Sequence, residues 1–342
     1  MSRSVSIFQW ILVGILSVCF FACKAGGGEF RVAVLDYEIA GVDSSFSDEA
    51  VELFKERGME VVKVSGEDVC KEGFLSEGGF DLYVVCNAKY YPADGVGTLQ
   101  EYLNDKGDLI LVGGPAFSDF VEQSGGEWFS KERLREELRK VETEKDLFDF
   151  ENEGACEGWT RSSNKPENIS SLGQVSAGDT GGKCVKVLTG DLQGWNFYHS
   201  PVIKQGFWED DELLCFRAKG EGQTSQLVIE LIEYDGSRWF GRVNLEGEWR
   251  NYSLMKSDFK FWPHPKAVEG RGGENDYVRF SNVHKIALGL AFSHTSGIGK
   301  GRHVFYVDDI GAAENAFADI EFGEVEDMGK METVFPVYKV YE

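Results

Sequence analysis

Near Leu147 the hydrophobic pattern of the chain changes period, and this constrains its fold more than any other feature of the sequence. Before that point, short apolar runs alternate with amphipathic stretches. Residues 30–36, 59–64, 80–86 and 108–114 read as strands, and the continuous run Val32-Ala33-Val34-Leu35 is what a strand covered on both faces requires. Between them, residues 47–58 have helical spacing, a polar start and a terminal glycine, and residues 96–106 read as a helix ended by Gly107. After Leu147, runs rich in Val, Ile, Phe, Tyr and Trp are separated by Gly, Asp and Asn. Nine strands are expected there, at 147–151, 183–189, 195–199, 212–219, 226–234, 238–244, 249–254, 284–292 and 303–310, with no helix. The sequence therefore predicts an α/β domain with a small parallel sheet, followed by an all-β antiparallel sandwich. The high glycine content, 41 residues, suits a turn-rich second half.

The boundaries follow from this pattern. Residues 1–23 read as a signal peptide. Arg3 is its basic start and Ile7–Ala22 its apolar stretch, which is short for a membrane span. Ala22-Cys23 closes the stretch and resembles a bacterial lipobox, which implies lipidation of Cys23 and an envelope location facing the periplasm or cell exterior; Phe20 departs from the usual Leu or Val. Plain secretion and an uncleaved anchor are the alternatives. Residues 24–29 are a linker, 30–125 the α/β domain, 126–146 a charged linker helix, 147–315 the sandwich and 316–342 a C-terminal tail.

A net charge of −23 provides no basic stripe for phosphates and argues against nucleic acid; it is compatible with glycans. Five cysteines lie beyond the leader, and none is in a CxxC pair. Cys156 and Cys184 could pair in an oxidising compartment, or both could be core thiols.

In the first domain, the strand-end Val112-Gly113-Gly114-Pro115-Ala116 carries no cysteine, and Cys86 in Val85-Cys86-Asn87 lacks flanking glycines and any assignable His-Glu pair. The alternation resembles the flavodoxin-like, class I glutamine amidotransferase-like fold in its non-catalytic versions, which implies a scaffold with Cys86 as a structural thiol. In the second domain, Phe148-Asp149-Phe150-Glu151 and Tyr306-Val307-Asp308-Asp309 bracket Trp159, Gly181-Gly182-Lys183-Cys184-Val185, Leu213-Leu214-Cys215-Phe216 and Trp249-Arg250-Asn251-Tyr252. This order resembles the galactose-binding-like jelly-roll carbohydrate-binding modules, notably the family 11 type; the same sandwich also resembles a respiratory complex I assembly domain. The carbohydrate-binding resemblance implies polysaccharide or oligosaccharide as partner. It also implies a structural Ca²⁺ where the terminal strands meet, with Glu151, Asp308 and less directly Asp309 as ligands.

Sugar recognition needs flat apolar faces and polar tips. Trp195, Tyr198 and His199, then Tyr234, Arg238 and Trp239, then Trp262 are the candidate contacts. Strand alternation puts Trp195, Phe197 and His199 on one face and Asn196 and Tyr198 on the other, and only one face can line a groove. Trp249 reads as core. Glu230, Glu233 and Asp235 are close in sequence, but a regular strand turns Glu230 and Glu233 to opposite faces, which is wrong for a glycosidase pair. The five histidines form no ligand pair. The reading is non-catalytic glycan binding; a glycoside hydrolase or fragment of one, and a structural or assembly protein of the envelope, are the alternatives.

Overall fold

A computed structural model describes residues 30–39, 45–113, 115–178, 181–204, 206–263 and 268–320. The leader, Cys23 and most of the C-terminal tail lie outside the described residues. The described residues divide into two compact units, one from residues up to Leu134 together with Asp319 and Ile320, the other Arg135–Ala318.

The first unit contains β1 (Arg31–Leu35), α1 (Ser45–Lys55), β2 (Glu60–Val64), α2 (Gly66–Val69), α3 (Phe74–Glu77), β3 (Leu82–Cys86), β4 (Tyr90–Pro92), α4 (Val96–Asn104) and β5 (Asp108–Val112). Its main sheet is parallel, in the order β2-β1-β3-β5. The unbroken apolar run in β1 follows from its central place. Val32 and Val34 pack on one side with Phe54 of α1, and Ala33 and Leu35 on the other with Leu99 and Tyr102 of α4.

Residues 126–146, expected as one linker helix, divide three ways. β6 (Asp119–Ser124) and β7 (Glu127–Ser130) form a hairpin, with Ser124 paired to Glu127. Gly125 and Gly126 close it at φ 57° and 85°, a two-residue turn that disfavours residues with a Cβ. Only Lys131–Leu138 is helical (α5), and Lys145–Phe148 is already a strand of the sandwich, β8. The charge alternation was a helix signal over half of its length; the Gly-Gly turn was the stronger local instruction.

The second unit is an antiparallel two-sheet sandwich. Its further strands are β9 (Thr160–Ser163), β10 (Ser170–Ser176), β11 (Lys183–Leu192), β12 (Trp195–His199), β13 (Leu213–Glu221), β14 (Gln226–Glu233), β15 (Arg238–Asn244), β16 (Arg250–Met255), β17 (Lys260–Phe261), β18 (Val283–Ala291) and β19 (Gly301–Ala313). One sheet runs β10-β11-β19-β13-β16, with β8 also on β19; the other runs β17-β15-β14-β18-β12-β9. The nine expected strands are present. β9, β10 and β17 were not expected. They end or edge their sheets, and Thr160-Arg161-Ser162-Ser163 and Ser170-Ser171-Leu172-Gly173 have few of the β-branched and large apolar side chains that mark a strand.

A buried ion pair fixes one end of the sandwich. Glu233, fully buried, receives Arg271 through two bonds of 2.7 and 3.1 Å and the backbone N–H of Arg279 at 2.9 Å. Arg271 also reaches Asp235 and Asp276, each at 2.9 Å, and lies over the Trp239 ring at 5.3 Å. It thereby pins the loop ahead of β18 to the β14–β15 hairpin, whose turn uses Gly236 at φ 90°. The five described cysteines, Cys156 and Cys184 among them, are free thiols.

Candidate functional site

Strand alternation sorts the second sheet into two faces. Leu227, Ile229, Leu231, Trp239, Val243, Ile286, Leu288 and Tyr198 enter the core between the sheets. The intervening residues form the outer face, where Phe197, Val228, Ala287, Ala291 and Phe240 make a small apolar cluster of their own.

Register places these outer residues in rows across the strands. One row runs Thr160, His199, Ala287, Glu230, Phe240, Lys260. The next runs Ser162, Phe197, Gly289, Val228, Arg242. On the other side lie Lys285, Ile232 and Arg238, with the backbone of Trp262 bonded to that of Arg238. Gly289 is required here: a Cβ would run into the Asn196 carbonyl oxygen and stand 2.5 Å from the Phe197 ring, which packs close over this position. The middle of the face is thus low and apolar, and its polar groups stand to either side.

Glu230 is 2% exposed and bound to Arg238 at 2.7 Å. The Nε of Arg238 is buried without a hydrogen-bond partner. Beside this pair, the His294 ring stacks on Phe240 at 3.9 Å, and Trp262 meets His294 edge-on at 4.4 Å. His294 Nδ1 is likewise buried and unpartnered. His199 is pushed down to about 4, first by burial and then by the positive charges of Arg238 and Lys285. The face therefore joins an aromatic wall to a charged, partly desolvated floor. Such an arrangement is chemically suited to stacking and to hydrogen bonding of hydroxyl groups.

The structure separates the sequence-expected contacts. His199, Arg238 and Trp195 belong to this outer face, Trp195 at 39% exposure, and Trp262 stands at its border. Tyr198 does not: it points into the core and shares a hydrogen bond of 2.9 Å with Ser170. Trp239 is 1% exposed and is a core residue, because it occupies the inward parity of β15. Both are withdrawn as surface contacts. Tyr234 is 69% exposed in the hairpin loop and stacks on His284 at 4.8 Å, apart from the Phe240–His294–Trp262 group. Phe240, Arg242 and Lys285 were missed, although alternation from Arg238 leads directly to Phe240 and Arg242. His294 lies in a loop and carried no sequence signal.

The carboxylates near the hairpin do not form a hydrolytic pair. Glu230 is held by Arg238, and Glu233 and Asp235 by Arg271. For Asp235, burial is outweighed by the bonds from Ser237 and Arg271, which hold its carboxyl below the usual range, the opposite of what a general acid needs.

Trp249, expected in the core, is instead half-buried on the outer face of the other sheet. There its Nε1 donates to Ala177 O at 3.1 Å, with Arg217 and Lys219 over its ring. The three expected calcium ligands do not converge, and among the described residues no three His, Cys, Asp or Glu groups are gathered as for a metal. A two-against-one bulge in the β13–β19 pairing puts Asp309 at φ 49° and turns it to Arg217 at 3.4 Å. Asp308 is 3% exposed and pushed up to about 7, by burial and then by Asp309, with Glu151 adding to the effect. Glu151 accepts the backbone N–H of Lys183 at 2.9 Å. In the first unit Cys86 is buried and pushed up to about 12, the state of an inert thiol.

By sequence, no family model and no curated protein matches the chain. Solved structures similar to it include a family 11 carbohydrate-binding module from Clostridium thermocellum in complex with a β-1,3-1,4-mixed-linked tetrasaccharide, at 19% identity and a TM-score of 0.39 over 52% of this chain and 100% of that one. The agarase AgWH50C is similar at 14% identity and a TM-score of 0.35, over 50% of this chain and 26% of that one. A third is TmCBM61 in complex with β-1,4-galactotriose, at 14% identity and a TM-score of 0.32, over 51% and 100%.

Proposed function

We propose that the Arg135–Ala318 unit binds polysaccharide on the outer face of its second sheet and does so without catalysis. The observation that carries this reading is the Phe240–His294–Trp262 aromatic group standing directly beside the Glu230–Arg238 pair. Aromatic faces take the C–H surface of a pyranose, and the charged groups read its hydroxyls. Affinity electrophoresis of the full chain against soluble β-glucans, xylans, mannans and galactans tests it. Retardation by a glycan, weakened in Trp262→Ala and unchanged in Tyr234→Ala, supports this face. No retardation by any of them overturns the reading and leaves the aromatic group as packing.

Three further elements of the proposal rest on other support. The first unit, whose strand–helix alternation resembles a non-catalytic glutamine amidotransferase-like domain, serves as a scaffold; its parallel sheet and the inert Cys86 are in keeping with that. Export and lipidation at Cys23 are supported by the leader sequence alone, and detergent-phase partition of the protein and of Cys23→Ser tests them. A structural Ca²⁺ is narrowed to Glu151 and Asp308, because Asp309 is committed to Arg217. The support is the unfavourable electrostatics of Asp308, which a hard cation would relieve.

A further inference from the structure

The charge on the outer face of the second sheet runs against the charge of the chain. The protein holds 58 acidic and 35 basic side chains. Yet the outward strand positions carry Lys285 on β18, Arg238 and Arg242 on β15, and Lys260 on β17, against one carboxylate, Glu230 on β14. Glu230 is taken by Arg238, so Lys285 and Arg242 face no acidic side chain from the described strands of their own face. Arg242 reaches the Ser296 hydroxyl at 3.3 Å, a weak neutral contact. Arg238 keeps a buried Nε without an acceptor and about a third of its side chain open to solvent (31%). His199 is depressed first by burial and then by Arg238 and Lys285, in keeping with positive charge on this face.

A neutral glucan or mannan would leave these cations unanswered. Arg presents a planar fork suited to carboxylate and sulfate, and Lys a point charge that strengthens the same contact. We propose that the ligand of this face is an acidic polysaccharide, whose carboxylate or sulfate groups meet Arg238, Arg242 and Lys285 while its pyranose faces pack on Phe240 and Trp262. The inference rests on the sugar-binding reading and sharpens it: the anionic group gives orientation, and the aromatic wall gives contact area.

The test uses matched polymers and the full chain. Polygalacturonate is compared with its fully methyl-esterified form, and a sulfated galactan with its desulfated form, by affinity electrophoresis and calorimetry. The charged member of at least one pair is expected to bind about tenfold more tightly or better, and its binding to weaken as NaCl rises from about 50 to about 300 mM. The double variant Arg242→Ala/Lys285→Ala, at positions outside the core, is expected to unfold at the temperature of the parent and to lose the preference. Preference within the polygalacturonate pair alone, or the sulfated pair alone, identifies the anion and supports the proposal either way. Equal binding of charged and neutral members overturns the acidic-ligand proposal and leaves sugar binding standing. Binding of no member, together with none of the neutral glycans, overturns both.

Discussion

Glu230 and Arg238 stand on neighbouring strands of one sheet face, carboxylate and guanidinium 2.7 Å apart, and their burial is unequal: the Glu230 side chain is 3% exposed and that of Arg238 31%. The two ends of the pair therefore differ in what they lose when the other is removed. A guanidinium left alone can turn to water, whereas a buried carboxylate left without its cation stays desolvated.

Arg238→Ala is accordingly expected to destabilise the sandwich by about 3–5 kcal/mol, and Glu230→Gln by clearly less. Chemical denaturation of both variants measures the difference. Equal losses would mean that the strand pairing, and not the desolvated carboxylate, sets the cost.

Trp239 and Trp262 are expected to separate folding from binding. Trp239 fills the core between the sheets and supports Arg271, so Trp239→Ala should cost about 3–5 kcal/mol of stability. Trp262 meets His294 and Phe240 only at the border of the outer face. Trp262→Ala should leave the unfolding temperature nearly unchanged and weaken glycan binding by about three- to tenfold, the value of one aromatic contact. A thermal melt and a retardation gel on the same two samples check this; a Trp262→Ala protein that binds as the parent does would move the ligand off this face.

Four strands of the first unit and nine of the second were legible because burial writes its period into the sequence: two-sided burial as continuous apolar runs, one-sided burial as alternation. β9 and β10 left no such mark, since an edge strand built of serine and glycine gains its order from its partner. The candidate site was legible only by half. Composition identified Trp195, His199, Arg238 and Trp262, but composition cannot tell Trp262 from Trp239, whose place is decided by one step of strand parity. Parity was available for β12, where it separated His199 from Tyr198, and the same step along β15 would have exchanged Trp239 for Phe240. The Phe240–His294 stack was not readable, because it closes between a strand and a loop more than fifty positions apart. Asp309 was lost to a bulge, which shifts side chains without altering composition.

Calcium is expected to act through Glu151 and Asp308. Millimolar Ca²⁺ should raise the unfolding temperature of the full chain, chelation should reverse this, and Mg²⁺ should do less, because it demands a more regular shell and sheds water reluctantly. A site occupied at about a hundred times its dissociation constant would add about 2.7 kcal/mol. Asp308→Asn should abolish the response, and Asp309→Asn should retain it, since Asp309 is turned to Arg217. An unchanged melt with and without Ca²⁺ would leave Glu151 as a cap on the Lys183 amide and nothing more.

His199 and Asp308 are expected to tilt the pH dependence of the sandwich in opposite directions. His199 is pushed down from 6.5 to about 4 by burial and by Arg238 and Lys285, so the folded state keeps it neutral while the unfolded chain takes up a proton. Its contribution is full above about pH 6.5 and drains away as pH falls towards 4. Asp308 is pushed up from 3.8 to about 7, so the folded state holds a proton that the unfolded chain releases. Its contribution is full below about pH 3.8 and is lost as pH rises towards 7. The two windows overlap, and in the parent they offset each other. Relative to the parent, His199→Gln should therefore lose stability as pH rises through this window, because the Asp308 effect is left alone. Asp308→Asn should lose stability as pH falls, with the His199 effect left alone. Unfolding temperatures of the three proteins, measured without calcium from about pH 4 to about pH 8, read out the two differences. Difference curves of the same slope for both variants would mean that at least one of these groups is not held in the folded state as its surroundings dictate.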